Sequence, residues 1–273
     1  EDALALTFDS VPLDERIEIL GTPVVSLELR SDRPQAHVAI RLTDVAPDGG
    51  SLLISRGLLN LSHHDNHQTV RLLVPAEPTS VRVVLDVAGH AFEAGHRIRI
   101  ALSPTYWPIA WPSPEIVTLG ISTGAASSLE LPVRPPAAED ADLPAFEQAE
   151  HAAPLDVEDS SIRRRRIVRD MLAGSWRVEL EGSELTVLPS GLASGERGTE
   201  TYSIVEGDPL SARIDRAYLH ELRRGDWRIA SDTRTSLSAT ATEFVLSTEL
   251  EVFEGDELVH RISRTRSFPR DGA

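Results

Sequence analysis

The residue types that carry nucleophilic catalysis are present in the chain, but they are not arranged as a triad. The serine nucleophile of an α/β-hydrolase lies in a G-x-S-x-G sequence on a sharp turn between a strand and a helix. That spacing occurs once, at Gly120–Gly124, but the chain around it does not alternate strands with helices as the sheet of an α/β-hydrolase does. Another string rich in serine and glycine, Ser190–Gly195, has the wrong spacing, and a hairpin loop accounts for its glycines. We therefore expect no catalytic residue here, and a chain that is inactive alone.

One local cluster contains residue types that bind metals, namely His63, His64, Asp65 and His67. A zinc site needs three or four ligands that converge, usually from different elements. In an extended segment His63 and His67 share a face while His64 points the other way. Because cysteine is absent, a thiolate site is excluded. We expect a polar strand end or turn here, and neither a metal nor another cofactor.

The run Arg163–Arg166 raises the question of nucleic-acid binding. The chain as a whole carries 27 basic and 43 acidic residues, for a formal charge of −16. Such a charge opposes contact with phosphates and with anionic membranes. We expect these arginines to pair with nearby carboxylates or to cover apolar surface, and we expect neither nucleic acid nor a membrane as a partner.

Three aromatic residues, Tyr106, Trp107 and Trp111, lie in a segment rich in proline. Aromatic residues spaced through such a loop suit an interface or the wall of a pocket, where one end of each ring is buried and the other is wet. A loop packed on its own domain remains an alternative. Trp176 and Trp227 lie in alternating runs and are expected in a core.

The composition also bears on location. The apolar runs are interrupted by charges, and the first residues lack a basic region followed by an apolar one, so we expect neither a membrane span nor a signal peptide. The absence of cysteine fits a reducing compartment and favours a cytoplasmic location.

The elements that would position these residues are short strands. Residues 1–133 alternate between apolar and polar residues in short runs such as Val24–Leu29, Val38–Leu42 and Val81–Val87, separated by turn residues. This pattern predicts a jelly-roll-like β-sandwich. Residues 134–159 are rich in Pro, Ala and acid and read as a linker, with a short helix around Leu143–His151.

Residues 160–273 alternate over longer runs, joined by short turns at Arg223–Asp226 and Glu254–Glu257. A period of two sustained over such lengths indicates half-solvated antiparallel strands. The prediction for the whole chain is therefore all-β, with the sandwich followed by a second antiparallel domain, a meander or half barrel.

Five strings in the first segment resemble the C-terminal β-sandwich of the serine hydrolases that include cocaine esterase and X-Pro dipeptidyl-peptidase. They are Leu4–Phe8, Ile17–Pro23, Val38–Gly49 with its L-x-D-V-x-P-D-G pattern, Ile54–Leu61 and Gly95–Arg99. The second segment resembles, more loosely, the tail of longer members through Asp208–Ala212 and Arg223–Trp227. One departure is Pro75-Ala76-Glu77, where the family usually has P-G-E.

The resemblance implies that the triad lies in an α/β-hydrolase domain that has no counterpart here. It implies a non-catalytic region that packs on that catalytic domain, in the same parent chain or separate, and helps to shape its pocket or an oligomer with further copies of the chain. Two alternatives remain open. One is a carbohydrate- or ligand-binding β-sandwich, in which aromatic side chains stack on sugars. The other is activity on the concave face of the second domain.

Overall fold

The computed structural model describes residues 4–135, 137–142, 144–150 and 158–272. It divides into two compact units. The first comprises the described residues up to Phe146 together with Gly272, and the second runs from Glu147 to Asp271. All the strand pairs in both units are antiparallel, which confirms the predicted all-β class.

The described part of the first unit forms ten strands, β1 (Leu6–Asp9), β2 (Ile17–Gly21), β3 (Val24–Ser31), β4 (His37–Val45), β5 (Ser51–Asn60), β6 (Thr79–Val84), β7 (Ala88–Phe92), β8 (Arg97–Ser103), β9 (Leu119–Ile121) and β10 (Ser128–Glu130). One sheet has the order β1-β8-β4-β5. The other has the order β10-β3-β6, with β9 also paired to β3, while β2 and β7 form a two-stranded ribbon. The result is the predicted sandwich.

A single hydrophobic core lies in this first unit. Apolar side chains at alternate positions of β3, β4 and β6 point inward because successive side chains of a strand face opposite sides. Leu29, Ile40, Leu42 and Phe92 are fully buried in it. Burying a large apolar side chain contributes about 1.5–3 kcal/mol each, so this core provides most of the sandwich's stability.

The second unit is one sheet of seven long strands, β11 (Glu158–Asp170), β12 (Ser175–Val187), β13 (Ala193–Val205), β14 (Asp208–Arg224), β15 (Trp227–Ala239), β16 (Glu243–Glu254) and β17 (Glu257–Pro269). The strands pair in chain order, which confirms the predicted meander. Two-residue turns join several of them, and Gly225 and Gly255 take a positive φ of 57° and 58° there. Such tight turns favour glycine because it has no Cβ.

The two faces of this sheet differ. One face carries an in-register row of apolar side chains on five adjacent strands, Val178, Tyr202, Ile214, Leu237 and Leu246. The opposite face carries cross-strand ion pairs, such as Arg166 with Glu179 at 3.2 Å and Arg234 with Glu249 at 3.8 Å. We call the first of these the apolar face and the second the charged face.

Two expectations were wrong. Trp227 is 45% exposed rather than part of a core, because it closes the β14–β15 hairpin opposite Arg224 at the rim of the sheet. Trp176 is also only partly buried. Its indole N–H donates to Glu206 at 2.7 Å, and the Arg169 guanidinium lies 4.7 Å from its ring.

The predicted helix around Leu143–His151 is absent from its described part, residues 144–150, and its two end residues lie outside the described ranges. A 3-10 turn at Ala138–Asp142 precedes it instead. Here Asp140 accepts hydrogen bonds from the Arg134 guanidinium and from the Ala137 backbone N–H. No helix among the described residues has the length and hydropathy of a membrane span.

Candidate docking face

Strand β4 is buried on both of its faces. Val38, Ile40 and Leu42 point into the core of the sandwich. The alternate residues point to the opposite face of the sheet, and yet Arg41 and Thr43 are only 4% and 3% exposed. Arginine is almost never fully buried unless its charge has partners. The outer face of this sheet therefore has a cover of its own.

That cover includes the segment between β8 and β9, residues 104–118, which we call the aromatic loop. Its far end is fixed by a hydrogen bond between the buried Ser113 hydroxyl and His37 Nδ1 at 3.1 Å. The backbone N–H of Thr118 donates to Asp32 at 2.8 Å, and Arg33 pairs with Glu115 at 3.2 Å. These contacts hold an irregular segment in one conformation on the sheet.

The three aromatic residues singled out from the sequence come together on this loop. The rings of Trp107 and Trp111 meet edge to face, with centroids 5.2 Å apart and an angle of 89°. The Tyr106 ring lies 5.4 Å from the Arg41 guanidinium carbon, a distance at which a cation interacts with an aromatic face. The peptide bond between Trp107 and Pro108 is cis.

Each of these three rings is partly exposed. Two neighbours on the loop, Ile109 and Ile116, are 57% and 59% exposed. Single exposed apolar residues are ordinary, but contiguous apolar groups on an ordered loop mark surfaces that other molecules contact. Sequence reasoning found the three aromatics and missed both isoleucines, because an isolated aliphatic residue in a loop carries no signal of its own.

A second group of polar residues in the first unit is centred on Asp44. The carboxylate of Asp44, 5% exposed, accepts a hydrogen bond from His90 Nε2 at 2.9 Å and one from His96 Nδ1 at 2.8 Å. His96 follows Gly95 in the turn before β8, and its hydrogen bond fixes this turn on β4. The three residues connect β4, β7 and the turn before β8, so they join the two-stranded ribbon to the larger sheet.

The histidine cluster lies in a turn, as expected, and not in an extended segment. Leu61–His63 form a 3-10 turn because the Asn60 side chain accepts from the Ser62 N–H and caps it. The ring of His64 bonds to the Leu61 carbonyl at 2.7 Å, and Asp65 pairs with Arg71 at 2.5 Å. In the described residues, no three metal-ligand side chains converge at this turn or elsewhere.

The second unit contains one polar network on its apolar face. Glu200 accepts hydrogen bonds from the hydroxyls of Tyr202 and Tyr218, the latter at 2.5 Å, and pairs with Arg216 at 3.1 Å. Burial opposes ionisation of Glu200, but these hydrogen bonds and the nearby arginine hold its pKa below its ordinary value. The hydrogen bond to Glu200, together with burial, raises the pKa of Tyr218 to about 12. These groups bond to one another and so link β13 to β14 on this face.

The arginine run lies within β11 and pairs with carboxylates, as predicted. Its partners are cross-strand residues of β12, with Arg163, Arg164 and Arg166 lying 3.9, 3.8 and 3.2 Å from Glu184, Glu181 and Glu179. All of these side chains except Glu179 are more than half exposed. Exposed pairs of this kind contribute little stability, typically below about 1 kcal/mol each.

The comparisons with known proteins agree with the geometry of the first unit. Residues 1–142 match the family model of the X-Pro dipeptidyl-peptidase C-terminal non-catalytic domain. A protein of Mycobacterium bovis named as a serine esterase is 30% identical over 156 residues, which cover 50% of this chain and 25% of that protein. The cocaine esterase of a Rhodococcus species is 23% identical over 103 residues, which cover 38% of this chain and 18% of the esterase.

A solved structure of an alpha-amino acid ester hydrolase matches 48% of this chain and 25% of its own, with 23% identity and a TM-score of 0.45. The chain spans a quarter or less of the length of the two curated relatives. The family match covers 142 of the 273 residues and includes the whole of the sandwich. The chain thus belongs to the family of the C-terminal non-catalytic domain of X-Pro dipeptidyl-peptidase.

Proposed function

We propose that this chain is the non-catalytic region of a serine hydrolase, and that its sandwich docks the catalytic domain through the aromatic loop. The observation that carries the proposal is the loop itself, an ordered segment that covers the outer face of β4 and presents partly exposed Tyr106, Trp107 and Trp111 beside exposed Ile109. Such a surface suits a partner that buries apolar rings.

The rigidity of the loop supports this role. An ordered docking surface loses little conformational entropy when a partner covers it, so more of the contact energy remains for binding. The loop is tied to the sheet through the buried Ser113 and His37 pair and through Asp32. In the docked state this surface would wall the substrate pocket, as the resemblance to the family implied. The cysteine-free composition supports a cytoplasmic location for the parent hydrolase.

The carbohydrate-binding alternative is less well supported. A flat, open platform for sugars needs aromatic ring faces that lie in one plane. The rings of Trp107 and Trp111 stand at 89° to each other, and the edge of one lies against the face of the other. The pair forms a wedge rather than a platform, so we do not retain this alternative.

Docking is tested by reassembly. The catalytic part of the parent hydrolase and the purified chain are expressed separately, and binding is measured by calorimetry. We expect Ile109→Asp to weaken binding at least tenfold, because it places a charge in the apolar contact. Val87→Asp is the matched control, since Val87 is 75% exposed on the same unit and lies outside the aromatic loop. Equal affinity for both variants would overturn the proposed surface.

The non-catalytic role is tested by assay of the purified chain alone. The substrates are a p-nitrophenyl acyl ester and an X-Pro p-nitroanilide, and a serine-directed phosphonate serves as the control. We expect no turnover above buffer, because the one G-x-S-x-G string, Gly120–Gly124, lies at the end of antiparallel strand β9, and its Ser122 hydroxyl donates to Glu28 at 2.8 Å rather than to a histidine. Turnover that the phosphonate abolishes would reveal a serine nucleophile in this chain and refute the proposal.

A further inference from the structure

Among residues 147–150 and 158–271, which the structure describes in the second unit, none forms a layer over its apolar face. The core cluster contains only residues of the sandwich, and the buried hydrophobic residues described in the second unit are Ala193, Ala212 and Ala230. The in-register row of Val178, Tyr202, Ile214, Leu237 and Leu246 is only partly buried. Next to this row on β11, Ile167 is 62% exposed. A β-sheet with an apolar face reaches a stable domain by packing that face on another layer.

We propose that the missing layer is a second copy of the same sheet, packed face to face about a two-fold axis. Seven strands of about thirteen residues span a face of about 1,400 Å² when strand spacing and rise take their usual values. Stable interfaces bury about 800 Å² on each partner, so even a partial overlap of the two faces suffices. Two such sheets pack about 10 Å apart, with their inner side chains interdigitated.

The apolar face also carries charges of both signs. Arg163 and Arg165 lie on the edge strand β11 and Arg264 and Arg266 on the other edge strand β17, while Glu184 and Glu196 lie on β12 and β13 of the same face. In a two-fold interface, if a residue contacts a second residue on the partner, the reverse contact forms too. One arginine-to-glutamate contact between the copies is therefore made twice. Within one chain Arg163 and Glu184 are 3.9 Å apart and mostly exposed, which leaves both able to form that contact.

This inference concerns the second unit, whereas the proposed function concerns the aromatic loop of the first. Each can fail without the other. If the aromatic-loop variant weakens docking while the chain remains dimeric, the two surfaces act separately.

The absence of native cysteine permits single-site labelling. Thr235 and Ser236 are adjacent on β15 and similarly buried, but Thr235 shares its face with Arg216 and Thr248, and Ser236 shares the other face with Asp215 and Ser247. A spin label on the Thr235→Cys variant should give strong dipolar coupling between copies. The same label on Ser236→Cys should give a longer distance, because it lies outside the interface. A shorter distance for Ser236→Cys, or no coupling for either variant, would overturn the proposal.

Sedimentation of unlabelled protein gives the second measurement. The full chain should sediment at twice its mass of 29.8 kDa at micromolar concentration. Thr235→Arg should shift it to the monomer mass, because it adds a charge to the apolar face of each copy. Ser236→Arg should remain dimeric. A monomeric full chain, or a Thr235→Arg variant that stays dimeric, would refute the second-copy interface.

Discussion

The two units of this chain are both antiparallel, but they bury their side chains in different ways. The sandwich closes two sheets on one core, in which Leu29, Ile40 and Phe92 are fully buried. The seven-stranded sheet has long in-register strands and many ion pairs, but the buried hydrophobic residues described in it are alanines. Both units thus have regular backbone hydrogen bonding. Among the described residues, only the sandwich also has a hydrophobic core.

This difference shows which interactions stabilise each unit. A backbone hydrogen bond contributes only about 0.5–1.5 kcal/mol net, because the unfolded chain bonds to water instead. Apolar burial supplies the larger favourable contribution to folding. We therefore expect the sandwich to be the more stable unit and the sheet to depend on a partner layer. The units also carry separate fluorescence reporters, since Trp107 and Trp111 lie in the first and Trp176 and Trp227 in the second.

The largest effect should come from a cavity in the sandwich. Phe92 is fully buried, so Phe92→Ala should destabilise the first unit by about 3–5 kcal/mol. In the Thr235→Arg background, which should be monomeric, Leu237→Ala in the sheet should cost only about 1 kcal/mol, because Leu237 is partly exposed in the single chain. Urea unfolding followed through the tryptophans of each unit measures both. Equal costs would mean that the apolar face is as well packed as the core.

A smaller effect is expected from the hydrogen bonds of Asp44 with His90 and His96. They join the β2–β7 ribbon to the sheet of β1, β8, β4 and β5. Asp44→Asn replaces one acceptor oxygen by an amide NH₂, so either His90 or His96 loses its acceptor. Leaving one buried donor unpaired costs about 1–3 kcal/mol. Asp86→Asn is the control, since the Asp86 side chain is 73% exposed in its pair with Arg56. Thermal melts should show the first variant well below the second, and coincident melts would make the Asp44 contact dispensable.

The Asp44 contact also shows what the sequence could and could not predict. Alternation at Val38–Leu42 predicted strand β4, and the hairpin signals at Arg223–Asp226 and Glu254–Glu257 predicted the meander, because both are local patterns. The pairing of Asp44 with His90 depends on the register of strands 46 residues apart, which no local pattern contains. Trp227 was misplaced for a related reason, since the alternation showed its strand but not that the residue would lie at the rim of the sheet, opposite Arg224.

A third prediction compares two glycines of the sheet that lie opposite each other on β12 and β13. A Cβ on Gly198 would lie 2.4 Å from the Tyr218 ring, whereas one on Gly182 would meet nothing closer than 3.7 Å. Gly198→Ala should therefore displace the ring and destabilise the second unit by about 1–2 kcal/mol. Gly182→Ala should be neutral or stabilising, because alanine restricts the unfolded chain. Similar denaturation midpoints for the two variants would show that Tyr218 moves at no cost.

The pH dependence of the second unit tests the same tyrosine. The pKa of Tyr218 is raised from 10.0 to about 12, first by its hydrogen bond to Glu200 and then by burial. The contribution of this hydrogen bond is therefore present below pH 10 and lost as the pH rises towards 12. Glu200→Gln should return the Tyr218 pKa towards 10, as read from tyrosinate absorbance. Glu196→Gln should change it little, and equal shifts in both variants would refute the assignment to Glu200.

The smallest effect concerns Ala76, which occupies the position where the family usually has glycine. The alanine takes the conformation that favours glycine, with a φ of 67°, and its N–H donates to the Ser31 carbonyl at 2.8 Å. A left-handed conformation costs a residue with a Cβ about 1–2 kcal/mol. The turn is held in this conformation by that hydrogen bond and by one from the Glu77 N–H to the Val74 carbonyl at 3.1 Å.

Ala76→Gly should thus stabilise the first unit by about 1 kcal/mol, since relief of strain outweighs the greater freedom of glycine in the unfolded chain. Ala46→Gly is the matched control, because Ala46 lies in another turn of the sandwich and has no positive φ. The control should lose about 0.5–1 kcal/mol. If both variants lost stability in urea, the positive φ of Ala76 would carry no strain.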